Sequence, residues 1–443
     1  MSELILGPLL RYVSETQATI WVEVDSPCKV NVLDSTALTF HVEGHHYALV
    51  VVDGLEPGTT YEYEVALDGR RVWPEPGSDW PAPCLRTLPE SGAVTIVFGS
   101  CRVAVPHEPP YSLTADEDEC GREIDALYAL AHRLRGLPRE DWPELLLMIG
   151  DQVYVDEDAP KTREFIRARR DTSRAPFEEV ADFEEYTHLY HETWGEPVIR
   201  WLLSTVPSAM LFDDHDTHDD WNISASWCEE MDRQPWWEPR IEGALVSYWI
   251  YQHLGNLSPA EIERRGLLEK VLAADDAGPL LRKEARHADR DKGGSMWSWC
   301  RDICRSRIVA FDSREGRVFH PRRQMNDDHE WAWIEEHATG GYDHLLLVDT
   351  LPMLMSPAFH YAEAWNEAVS EGAWGARFAR VGEKLRRALD MEHWAAFQVS
   401  FMRISGLIRA VAAGERGDPP ASVLMLGGDI HHAYLARIGP SCC

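Results

Sequence analysis

The sequence predicts a layered α/β molecule preceded by a small all-β sandwich. Three observations carry this expectation. After residue 94, short and almost wholly apolar runs recur, each closed by a polar or acidic residue. Between them lie stretches with helical patterning, such as Asp125–Leu137 and Arg380–Ser405. Before residue 90 the pattern is different, with alternating strands and a Pro-Gly turn. A chain of 443 residues exceeds the size at which one hydrophobic core usually stops growing, so two domains are expected, 1–90 and 91–443. Apolar residues at 44% and charged residues at 26% form an ordinary globular balance, which excludes wholesale disorder.

In the N-terminal part, Ala18–Val24 alternates inward and outward residues around Trp21, and Tyr47–Leu55 supplies a second apolar strand. Leu55-Glu56-Pro57-Gly58 then turns into a strand with Tyr61 and Tyr63 two apart. That stretch resembles the tyrosine corner of fibronectin type III and immunoglobulin-like sandwiches, where a tyrosine hydroxyl ties a loop back at the strand entry. The unit is expected to be structural or to cover substrate. The Pro-rich segment Trp73–Pro83 approaches the boundary.

Beyond the boundary the apolar runs are Thr95–Phe98, Leu145–Ile149, Ala209–Phe212, Ile308–Phe311, Leu345–Val348 and Val423–Leu426. Runs of this length without alternation suit strands buried on both faces. They end in Ser100-Cys101, Gly150-Asp151, Asp213-Asp214-His215, Asp312, Asp349 and Gly428-Asp429. A helix cap or turn explains any one terminal Asp. Six polar strand ends give their side chains a common rim, where ligands collect in α/β folds. Gly150-Asp151-Gln152-Val153-Tyr154 offers a carboxylate and, one turn later, a phenol. Asp213–Asp220 holds seven carboxylates and imidazoles in eight residues, and Gly428-Asp429-Ile430-His431 sets Asp and His two apart. Hard cations prefer carboxylate oxygen, whereas iron and zinc accept imidazole, phenolate or thiolate.

A formal net charge of −31 repels phosphate backbones, so nucleic-acid and anionic-membrane binding are excluded as the main role. An anionic substrate is still compatible where bound cations reverse the local sign. No apolar run reaches the roughly 18–20 residues of a membrane span. The opening MSELILGPLL has no basic region and carries Glu3, so no signal peptide is expected and a cytoplasmic location is. The nine cysteines are scattered without a CxxC pair, which argues against a disulfide framework. Cys300 and Cys304, at helical i, i+4 spacing, are expected in a helical core.

Taken together, Ser100-Cys101, GDQVY, DDHDTHDDW, Asp312-Ser313-Arg314 and GGDIHHAY resemble the alkaline phosphatase D (PhoD-like) family. That family is a branch of the calcineurin-like metallophosphoesterases related to purple acid phosphatases. The resemblance implies a β-sandwich of two mixed sheets flanked by helices, with a two-metal site on the rim; a helical insertion is expected around 220–300 of this sequence. It implies hydrolysis of phosphate esters, as a phosphomonoesterase or phosphodiesterase, by metal-activated hydroxide. Carried over to this sequence, Asp151 bridges the metals, and Cys101, Tyr154 and His431 serve Fe³⁺. Asp214 and Asp429 serve Ca²⁺ or another hard divalent ion (Mg²⁺, Mn²⁺ or Zn²⁺). His215 faces the substrate and protonates the leaving group or orients the phosphate. Arg314 clamps a phosphate or salt-bridges neighbouring carboxylates, and Arg102 is a weaker candidate of the same kind. His432 is expected to point away. The family's isolated His ligand has no clear counterpart; Asp349, Thr350 and His360 are candidates. Ala433–Ile438 is expected as an exposed edge strand near a shortened C-terminus. The Trp-rich segment Asp219–Trp237 is expected to pack a helical insertion, with an aromatic lid as the alternative. The competing functions are an inactive calcium-binding scaffold and a metal hydrolase for a non-phosphate ester. Every proposed ligand lies after residue 100, so residues beyond 88 are expected to hold metal alone.

Overall fold

The structure, a computed structural model, describes residues 1–156, 159–290 and 296–438. Cys442 and Cys443 lie outside the described residues.

The N-terminal strands are β1 (Leu4–Val13), β2 (Ala18–Val24), β3 (Lys29–Val32), β4 (Ser35–Leu38), β5 (Phe40–Val42) and β6 (His45–Val52). They continue with β7 (Thr60–Glu62), β8 (Val65–Leu67), β9 (Arg70–Trp73) and β10 (Cys84–Arg86). They form antiparallel sheets ordered β1-β2-β6-β5 and β4-β3-β8-β9, and β7 pairs with β10. Ile20, Val22 and Val50 of one sheet share a core with Val30, Val32 and Val65 of the other. The Tyr61 hydroxyl accepts a hydrogen bond from the Glu56 backbone N–H at 2.8 Å, which closes the Pro-Gly turn.

The remaining strands are β11 (Ile96–Gly99), β12 (Leu145–Ile149), β13 (Ser208–Leu211), β14 (Trp299–Ile303), β15 (Ser306–Ala310), β16 (His344–Val348) and β17 (Ser422–Leu426). β11, β12 and β13 pair in parallel. In the second sheet, β15, β16 and β17 are parallel and β14 joins β15 as an antiparallel hairpin. Residue alternation decides how these sheets pack. Ile308, Ala310, Leu346 and Val348 enter the core that holds Leu145–Ile149. Val309, Leu345 and Leu347 face the other way, onto Trp331, Phe397 and Ile404 of the covering helical layer. Two sheets therefore share one interior, and all six strand ends anticipated from the sequence are present.

Several local expectations are corrected. Arg380–Ser405 is not one helix: helices Ala376–Ala388 and Gln398–Ala412 are separated by a loop and a short 3₁₀ turn. Cys300 lies on β14 and Cys304 in its hairpin turn, because the alternating Trp299–Ile303 buries residues at every second position rather than on a helical stripe. Ala433–Ile438 is exposed and pairs with no strand among the described residues. Helices occupy most of Ala225–Arg290, and Trp221, Trp227 and Trp237 are buried in their packing rather than presented as a lid. Among the described residues, no helix is long and apolar enough to cross a membrane.

The N-terminal sheets are built into the rest of the molecule. The fully buried Arg11 donates to Ser208 Oγ (3.1 Å), the Gln252 carbonyl (2.6 Å) and Asn256 Oδ1 (3.1 Å). Trp21 packs on Tyr251 with ring centroids 5.2 Å apart.

Candidate metal centre

Parallel strands β11, β12 and β17 end on one side of the molecule, and the residues just beyond them take an unusual backbone. Cys101 (φ 59°), Asp151 (φ 52°), Asp429 (φ 69°) and His431 (φ 52°) all occupy the left-handed region. That conformation costs a non-glycine residue about 1 kcal/mol or more, and it persists only where the surroundings enforce it. Two glycines do the enforcing. At Gly150 (φ 110°) an added Cβ would stand 2.9 Å from Cβ of Asp213, and at Gly428 it would stand 2.5 Å from Ser100 Oγ and 2.9 Å from the Ile149 carbonyl. The β12 and β17 ends can approach their neighbours only because no side chain intervenes.

Among the described residues, three groups of side chains bring donor atoms within 4.8 Å of one another: Asp151 with Asp213 and Asp214, Asp214 with Glu392 and Asp429, and Asp214 with His215 and Asp219. Asp214 is common to all three; Asp151, expected at the junction, belongs to one. Asp151 also meets the softer donors. The Tyr154 hydroxyl donates to its Oδ2 at 3.3 Å. The Cys101 thiol lies 3.1 Å from Ser100 Oγ and 3.7 Å from the Asp429 carbonyl. His431 is exposed and lines the same cleft as Cys101 and Tyr154, outside the three groups.

Burial and mutual repulsion dominate the electrostatics. Desolvation, then Asp213 and Asp214, raise the Asp151 pKa well above the carboxylate range. Burial likewise raises Asp213 well above that range despite Arg314, and lifts Asp214 to about 6. Burial also pushes the Cys101 thiol up to about 11. Asp151 Oδ1 and Asp213 Oδ2 have no hydrogen-bond donor. A buried carboxylate oxygen without a donor is costly unless a cation meets it. The residues present therefore fit hard cations, and the thiol and phenol beside Asp151 fit a softer or ferric one.

Arg314 is fully buried and takes the second of its two expected roles. It pairs with Asp213 and Glu392, and with Asp214 at 3.2 Å and Asp429 at 3.4 Å. His215 is held through Nδ1 by Asp156 Oδ1 at 2.8 Å and stacks on Tyr154 with centroids 4.6 Å apart. Burial opposes its charge, but the Asp156 hydrogen bond and the Asp214 charge prevail and raise its pKa to about 11. Arg102 binds Asp125 (2.6 Å) and the Thr193 carbonyl, away from the acid groups. His432 is exposed and turned to the Ile430 carbonyl. His360 packs on Phe401, and Asp349 accepts from Trp394 Nε1 at 2.6 Å. Thr350 reaches the site by donating to Asp213 Oδ1 at 3.0 Å.

Sequence reasoning missed Asp156, Glu392 and His393. His393 Nε2 lies 3.3 Å from Asp429 Oδ2, while its Nδ1 meets Glu363 at 2.8 Å. The only sequence signal was an acidic-imidazole pair, Glu392-His393, inside an otherwise apolar turn.

Residues 130–264 match the family model described as PhoD-like phosphatase. A solved structure described as "Structure of PhoD" is similar, with a TM-score of 0.57 and 14% identity, over 96% of this chain and 72% of that one. The sequence likeness to PhoD-like phosphatases is confined to residues 130–264, and the likeness in fold extends over the chain. Residues 1–85 match a second family model, described as a domain of unknown function (DUF7800). No curated protein matches. The PhoD-like region contains Asp151, Tyr154, Asp214 and His215, whereas Cys101, Arg314, Glu392, Asp429 and His431 come from outside it and meet it at the rim.

Proposed function

We propose that the protein hydrolyses phosphate esters at a two-cation rim. The observation that carries this proposal is the junction at Asp214, where two buried acid groups share one carboxylate and present oxygens that lack donors. Cys101, Tyr154, Asp151 and His431 would hold the ferric ion; Asp214, Asp429 and Glu392 would hold the calcium-like ion. Asp151 and Asp214 stand between the two sets. Cations bound there would supply Lewis acidity toward a phosphoryl oxygen and water acidified to near neutral pH. The protein's own residues do the rest. Arg314 balances the excess carboxylate charge and keeps Asp213, Asp214 and Asp429 converged. His215, oriented by Asp156 and kept protonated, donates a proton to the departing alkoxide. Gly150 and Gly428 allow the close strand approach that shapes the cleft.

In this proposal the two facing sheets are the metallophosphoesterase sandwich, spanning 91–443. Residues 1–90 are a fibronectin-III/Ig-like sandwich serving as a structural unit. The experiment is turnover of p-nitrophenyl phosphate and bis-p-nitrophenyl phosphate by purified, metal-analysed protein, with a visible spectrum recorded alongside. Hydrolysis together with a phenolate charge-transfer band that disappears in Tyr154→Phe is the expected result. Metal-loaded protein that turns over neither ester overturns the phosphoesterase assignment.

A further inference from the structure

The helical region that follows the rim forms a second, separate cavity of about 200 Å³ that is partly open to solvent. Its wall is mostly apolar, with Leu245, Leu257, Leu281 and Ala285 among the lining residues. Two further lining residues, His253 and Trp297, are 2% and 7% exposed.

Both carry an unmatched proton. Arg265 Nη1 lies 2.9 Å from His253 Nε2. A guanidinium can only donate, so Nε2 is the acceptor of the pair. Burial, followed by the nearby Arg265 and Arg11 charges, holds this imidazole well below its ordinary pKa, so the ring is neutral. Its single proton must then sit on Nδ1, and Nδ1 has no partner. The Trp297 indole Nε1 is donor-only, and it too has no partner. The rings are 5.2 Å apart and nearly perpendicular. The cavity thus pairs an apolar body with two donors that have no acceptor of their own, and a buried unmatched donor is costly.

We propose that this cavity binds a small, largely apolar molecule bearing one oxygen acceptor, of the size class of an aryl ketone. A ~150 Å³ apolar cavity is already enough to admit benzene, so this one has room for a ring and a short substituent. The acceptor oxygen docks against His253 Nδ1–H and Trp297 Nε1–H, and the ring lies against the leucines. Arg265, also in the lining, fixes the His253 tautomer. Exposed Lys270 and half-buried Glu284, also in the lining, mark the side nearer solvent.

The test uses acetophenone and its acceptor-free analogue ethylbenzene, titrated into the full-length protein and followed through ¹⁵N-indole NMR signals. The Trp297 resonance is assigned by its loss in Trp297→Phe. Acetophenone should shift that resonance and bind about fivefold more tightly than ethylbenzene, the discrimination one net hydrogen bond supplies. His253→Phe should erase the preference, and Ala285→Phe, which fills the cavity, should abolish binding of both. A crystal soaked with acetophenone provides a readout independent of the variants. Equal affinity for the two probes, absence of any Trp297 shift, or density for an ordered water alone between His253 and Trp297 would each overturn the proposal.

Discussion

Asp214 touches every acid group at the rim, and its neighbours differ in how far they share that position. Asp219 joins only the group with His215, and its side chain is 67% exposed. Asp214→Asn should therefore lower phosphoesterase turnover by at least ~100-fold and reduce metal content, whereas Asp219→Asn should stay within ~3-fold of the parent. Metal analysis and initial rates measured side by side decide the matter; an Asp214→Asn protein with full metal and rate would remove Asp214 from the centre. Legibility at this scale followed strand ends. Asp151, Asp214 and Asp429 were readable because each follows an apolar strand, fully buried before Asp151 and Asp214 and half-buried before Asp429, where a carboxylate is conspicuous. Glu392, His393 and Asp156 were not, because they sit on loops whose positions are fixed only by packing: Glu392 is drawn in by Arg314 and Arg317, which hold its pKa at about 2 against the opposing effect of burial.

Elements were legible where their apolar sequence is unbroken, including β11 and β17, which are only half-buried to exposed. β12 was readable to the residue, since all of Leu145–Ile149 is buried and apolar. β14 escaped notice because Arg301 and Asp302 interrupt its hydrophobic pattern; Arg301 is buried there by donating to the Asn256 carbonyl at 3.0 Å, a tertiary contact with no trace in local sequence. Helix Phe183–Trp194 is joined to the N-terminal sheet by a polar cluster that the sequence also concealed. Buried Glu23 on β2 accepts from His45 (3.2 Å), His191 (2.8 Å) and the Tyr251 hydroxyl (2.9 Å), and His45 Nε2 reaches Glu184 at 3.0 Å. Burial disfavours charged His45, but hydrogen bonds to Glu23 and Glu184 outweigh it and raise its pKa to about 9. A pKa raised on folding gives stability that is full below the unfolded value near 6.5 and is lost as pH rises through about 9. Unfolding free energy should accordingly fall by on the order of 2 kcal/mol between those limits. Urea denaturation across that window should show the slope in the parent and a flatter one in His45→Gln; parallel slopes would show that the cluster is not the titrating element.

At the scale of the whole molecule, the N-terminal sheets cannot be treated as an appendage. Arg11 is inserted between β13 and the Tyr248–Leu257 segment and Trp21 packs on Tyr251, so removing residues 1–88 would strip Ser208, Asn256 and Tyr251 of these buried contacts. The expectation that the remainder holds metal on its own gives way to a different one: the truncated chain should be insoluble or lack cooperative unfolding, and co-expression with the missing segment should restore it. A soluble 89–443 fragment with a sharp thermal transition would restore the view of separable units. The left-handed backbone at the rim has a consequence for how stability and activity trade against each other. Asp151 combines a conformation suited to glycine with a buried carboxylate crowded by two others. In chelator-treated protein, Asp151→Gly should therefore melt at a higher temperature than the parent, since relief of strain and repulsion exceeds the ~1 kcal/mol backbone entropy that glycine forfeits. With metal present the order should reverse, because only the parent has the ligand that turns binding into stability. Selection for heat tolerance without selection for turnover would be expected to erase this carboxylate among its first changes.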